Sequence, residues 1–174
     1  MSLKKFMDGL LHRNVQQENL PESKNMIDFK KYVEEKINEA KANLIFHDSI
    51  PALYFVKSNE KAVEYSILFD EEHKDAEVLR MKELCKGAQA SAFLFDSFIN
   101  SCTEEEADQI TDGLEDKKGT MSAITIFIYT PEQVCSRALI YTRKGPQDYL
   151  FADKGWENTD SPGGRLANPF IDIV

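Results

Sequence analysis

Two stretches, Met121–Thr130 and Val134–Arg143, alternate apolar and polar residues on either side of Pro131-Glu132-Gln133. Alternation of this kind sends successive side chains to opposite faces of a strand, and the proline-led break returns the chain antiparallel to itself. A lone hairpin is marginal in water. The remainder of the chain therefore has to supply further strands and a helical roof.

The clearest candidate for that roof lies upstream. Met26, Phe29, Val33, Ile37, Ala40 and Leu44 recur at spacings of three and four, which puts them on one helical face, with Asn25 in the N-cap position. The other face carries Lys30, Lys31, Glu34, Glu35, Asn38 and Lys41 and is solvated. A second helix is expected over 71–86. Val78, Met81, Cys85 and Ala88 form its stripe, acids crowd its start, and Gly87 stops it. Between the helices, Ala52–Lys57 and the alternating run from Val63 to Phe69 read as a hairpin about Ser58-Asn59-Glu60-Lys61. Ser91–Ser101 reads as another strand, with Phe93, Phe95 and Ile99 on one side and Ala92, Leu94, Asp96 and Phe98 on the other. A short strand follows at Tyr149–Ala152.

These elements define an α+β chain: a mainly antiparallel sheet of about five or six strands with two main amphipathic helices packed on it, in the order α-β-β-α-β-β-β, with room for a further short strand. Both helices are expected to cover the same face of the sheet. Residues 1–24 read as a polar arm closed by Pro21, and residues 25–174 as one domain. Within that domain, 102–120 reads as an acidic mobile connector: its seven acids and two lysines contribute −5 of the chain's formal charge of −9. The Pro- and Gly-bearing tail after Trp156 suggests irregular packing over the sheet.

The composition, 42% hydrophobic and 29% charged, is that of a globular chain that folds without metal or disulfide, so no cofactor is expected. No apolar stretch approaches the ~20 residues of a membrane span, and no apolar segment follows the basic start at Lys4 and Lys5. Three widely spaced cysteines, Cys85, Cys102 and Cys135, form no CxxC pair and suit a reducing compartment, so a cytoplasmic location is expected. The negative charge repels phosphates and anionic lipid at long range, and no basic run interleaved with aromatics offsets it. Nucleic acid and membrane partners are thus disfavoured.

Four places carry residue types suited to chemistry. Asp96 is an acid amid an apolar strand; buried without a partner it would hold a raised pKa, whereas an ion pair with Arg137 or Arg143 would make it structural. Asp70, Glu71, Glu72 and His73 offer oxygen and imidazole ligands for a divalent cation at a strand–helix junction, although consecutive residues do not converge on one point and acids at a helix start already favour its dipole. Gly163, Gly164 and Arg165 could cradle an anion, or form an ordinary loop. Trp156, the single tryptophan, suits either an interface hot spot or a lid on the protein's own core. His12, His47 and His73 fall in no ligand spacing, and no G-x-S-x-G elbow is present.

The leading expectation is accordingly a non-enzymatic binding or accessory protein, working through protein–protein contacts or self-association at a sheet face or an open edge. A divalent-metal-dependent hydrolase or nuclease using Asp96 with Asp70, Glu71 or Glu72 is the alternative. A small-ligand pocket lined by Phe93, Phe95, Phe98 and Tyr129 is a third reading.

Overall fold

The computed structural model describes residues 24–58, 61–67, 72–99, 119–131 and 133–159. Of the expected arm 1–24 and acidic connector 102–120, residues 1–23 and 102–118 lie outside the described residues, as do 160–174, with Gly163, Gly164 and Arg165, and Asp70 and Glu71. The element order is α1 (Lys24–His47), β1 (Leu53–Ser58), β2 (Lys61–Ser66), α2 (Lys74–Cys85), β3 (Ala90–Ile99), β4 (Met121–Tyr129), β5 (Val134–Gly145), β6 (Asp148–Asp153) and β7 (Glu157–Thr159). Every pairing is antiparallel, and the strands lie in the order β2-β1-β3-β4-β5-β6, with β7 also against β5. This is the α+β architecture expected, with a seventh strand in part of the tail expected to be irregular. Among the described residues no helix is long and apolar enough to cross a membrane.

Local chemistry accounts for the boundaries. The turn between β4 and β5 is fastened by Thr130, whose Oγ1 donates to the Gln133 carbonyl (3.0 Å) and accepts from the Gln133 amide (3.1 Å). Helix α2 ends where Gly87 takes φ +76°, a conformation that side chains resist. It starts at Lys74, later than its acidic run suggests, and His73 in the cap position makes no side-chain capping bond. Between β6 and β7 the chain leaves the edge of β5 at Lys154–Trp156, with Gly155 at φ +76° supplying the bend.

One expectation fails. The two helices do not share a face of the sheet; they cover opposite faces. Phe29, Val33, Ile37 and Ala40 of α1 pack on Leu53, Phe55, Ala92, Leu94, Ile124, Ile126, Ile128 and Leu139. Met81 and Cys85 of α2 pack on the alternate residues of the same strands, Tyr54, Val56, Phe93, Phe127 and Tyr129. The reason is visible in β4, where Ala123–Tyr129 is buried residue after residue rather than on alternate positions. A strand covered on both faces reads as a continuous apolar run, and its alternation then names no solvent side.

Candidate functional site

The α1 face has a dry centre and a polar, aromatic end. Strand register builds that end in rows. Phe98 stands opposite Ser122, Ser122 opposite Tyr141, and Tyr141 opposite Phe151. One row nearer the core, Asp96 stands opposite Ile124 and Ile124 opposite Leu139. Two strand spacings amount to about 10 Å, a gap that the Tyr141 and Asp96 side chains close from both sides. Tyr141 thus reaches across β4, and its Oη donates to Asp96 Oδ1 at 2.8 Å.

At the C-terminal end of α1, Asp48 takes the left-handed conformation (φ 56°), which aspartate tolerates better than most residues. Its carboxylate accepts from Arg143 Nη1 at 2.6 Å and from the Tyr149 hydroxyl. The rings of Tyr141 and Tyr149 meet edge to face, 6.1 Å between centroids.

Electrostatics follow from these contacts. Partial burial raises the Asp96 pKa, and hydrogen bonds from Tyr141 and the Ser97 amide only partly oppose it. Burial and the Asp96 carboxylate together push the Tyr141 phenol up. The Asp48 carboxylate does the same for Tyr149 through their hydrogen bond. No cation relieves Asp96 among the described residues. The two arginines expected for it are engaged elsewhere: Arg143 with Asp48, and Arg137 with Glu34 and Asp153. Asp96 itself is exposed, and Phe98, next on the same face, is 47% exposed.

Trp156 is partly buried against the α1-side core. Its Nε1 donates to Glu34 Oε1 at 3.0 Å, and the Arg137 guanidinium and the Lys30 ammonium each lie 5.5 Å from its ring. The Lys154–Trp156 excursion from β5 places the indole there, over the N-terminal half of α1. Glu72 and His73 are exposed at the start of α2. Among the described residues no three His, Cys, Asp or Glu side chains are grouped as metal ligands. Phe93, Phe95 and Tyr129 lie on the α2 face, with Phe93 and Phe95 stacked at 4.5 Å, whereas Phe98 is on the other. The four cannot line one pocket, which corrects that reading.

The α2 face holds a second group of polar side chains that the sequence did not single out together. The Tyr54 hydroxyl contacts Cys85 Sγ beneath α2, both fully buried. Burial pushes the Cys85 thiol up to about 11, against a smaller downward pull from the Ser91 hydroxyl. Burial also holds the Tyr129 phenol well above its ordinary value. A thiol so protected is a packing residue rather than a nucleophile.

No protein family, curated protein or solved structure matches the chain.

Proposed function

We propose that this chain is a non-enzymatic protein-binding module of the cytoplasm, and that the open end of the α1 face receives a basic side chain from its partner. One observation carries the reading. Glu34, Asp48 and Asp153 are each matched to an arginine, while Asp96 has hydrogen-bond donors and no cation among the described residues. A cation set against Asp96 would favour its charged form and offset the partial desolvation that raises its pKa. Phe98 beside it and the Tyr141 ring give an incoming aliphatic stem or guanidinium apolar and π surface. The net charge of −9 steers basic partners toward the chain. Cys85 and Cys135 are buried and in no disulfide among the described residues, consistent with a reducing compartment.

An array of immobilised peptides carrying a single arginine between apolar residues tests the proposal. Binding should be salt-dependent and weaken about tenfold in Asp96→Asn, the loss of one charge-assisted bond. Phe98→Ser should weaken it as well. Binding that is indifferent to both substitutions, or absent across the array, would remove the basis for this reading.

A further inference from the structure

The β2 edge carries an inference independent of the Asp96 surface. Among the described residues strand β2 terminates the sheet, and Lys61, Val63, Glu64 and Ser66 are exposed along it. Its backbone polarity can be read from one bond. Ile67 N–H donates to the Ala52 carbonyl at 3.0 Å, in line with the register that pairs Ser66 with Leu53. Antiparallel pairs alternate between exchanging hydrogen bonds and turning them outward. Tyr65, Val63 and Lys61 therefore bond inward to β1, and the amides and carbonyls of Ala62, Glu64 and Ser66 face out, the Ser66 carbonyl already accepting from Arg80 Nη2 of α2 at 3.1 Å.

We infer that this edge pairs with the same edge of a second copy of the chain, about a two-fold axis through Val63. A two-fold axis perpendicular to the sheet keeps each face on its own side, so only registers that match residues of one face are allowed. Centring on Val63 sets Val63 against the partner copy's Val63, Lys61 against its Tyr65, and Ala62 against its Glu64. Val63 is 48% exposed and apolar, and this register covers it. Lys61 meets an aromatic ring. The outward groups of Ala62 and Glu64 meet each other, giving about four backbone hydrogen bonds between the copies.

The neighbouring registers are worse. Centring on Glu64 opposes two carboxylates directly, which is destabilising. Centring on Ala62 overlaps only the short run from Lys61 to Val63. Lys36 of α1 holds Glu64 at 2.8 Å but also Glu39 at 2.9 Å, so one ammonium serves two carboxylates and does not cancel the repulsion of the Glu64-centred register. The opposite edge, β6, is a poorer template, because the chain leaves the sheet at Lys154–Trp156.

The test is light scattering with size exclusion over a concentration series of the full chain, with circular dichroism to confirm folding. The wild type should show a species of twice the chain's 19.9 kDa that dissociates on dilution. Val63→Glu sets like charges on the axis and should raise the dissociation constant about tenfold or more. Val63→Lys should do the same. An equimolar mixture of the two folded variants should recover the dimer, since only a register pairing position 63 with itself brings the introduced charges face to face. A wild type that stays monomeric at all concentrations, a dimer unaffected by either variant, or folded variants that fail to recover it on mixing would each overturn the inference.

Discussion

The two faces of the sheet satisfy buried polar groups in opposite ways. Under α2, the groups taken out of water are neutral: the hydroxyl of Tyr54, the thiol of Cys85, and the Ser97 and Thr125 hydroxyls bonded to one another at 2.5 Å. Under α1, the centre is apolar apart from the Cys135 thiol, which donates to Asn158 Oδ1 at 3.1 Å, and the charges stand at its margins, as Arg137 with Glu34 and Asp153 and Arg143 with Asp48. The distribution follows from solvation. A neutral hydroxyl or thiol can be buried for the cost of one hydrogen bond, whereas an ion needs water or a counter-ion within reach. Asp96 departs from the pattern of its own face, which is why the proposed surface is centred on it and not on the dry thiol of Cys85.

Core truncations test the comparison most severely. Phe29→Ala under α1 should cost about 3–5 kcal/mol and Met81→Ala under α2 about 2–5 kcal/mol in chemical denaturation. The milder pair Ile37→Val and Val56→Ala, on opposite faces, should be additive within about 0.5 kcal/mol. Strong coupling between them would mean that the sheet does not insulate the two roofs.

Arg137→Ala should follow, at about 1–3 kcal/mol. That is less than the loss expected on breaking a fully buried pair, since Glu34 and Asp153 keep partial access to water. Arg137→Lys should recover little, because an ammonium cannot hold Asp153 with two parallel bonds. The guanidinium holds the Asp153 carboxyl below its ordinary value. The stability it provides is therefore present above the unfolded carboxylate pKa of about 3.9 and is lost as pH falls through the lower folded value. An Arg137→Ala protein whose stability kept the wild-type acid dependence would contradict this assignment.

Tyr54→Phe should cost about 1 kcal/mol, the net worth of one buried hydroxyl contact. Cys85 should resist thiol reagents at pH 8 until the protein unfolds, and fast labelling of the native protein at Cys85 would refute the dry character of the α2 face.

The smallest effect belongs to Asp96→Asn, within about 0.5 kcal/mol in denaturant melts at pH 7 and on the stabilising side. Its sign is opposite to that of Asp153. Because the folded state raises the Asp96 pKa, its contribution is full below the unfolded value of about 3.9 and is lost as pH rises through the folded one. A clear loss of stability at neutral pH would make Asp96 a structural residue and weaken the proposed surface.

Both helices, the β4–β5 hairpin and the antiparallel order are legible in the residues themselves. Phe29, Val33, Ile37, Ala40 and Leu44 repeat with the helical period, and Thr130 and Pro131 stand where the chain reverses. The surroundings of Asp96 are not legible. Its position in an apolar strand is plain, but Tyr141, 45 residues away, becomes its partner only because two registers across β4 set the pair on one diagonal. Arg137 was an equally good partner on paper. It is claimed by α1 and by β6, which fold in from opposite ends of the chain.

The sequence by itself determined which segments are helical or extended and where they turn, because period and turn chemistry are local properties of the backbone. Only the tertiary structure decided which face each helix covers and that Asp96 has no cation beside it among the described residues. Leu53–Val56 and Ala123–Tyr129 are apolar on both sides, so their side-chain pattern is equally content with a helix above or below. Packing of the whole chain breaks that tie.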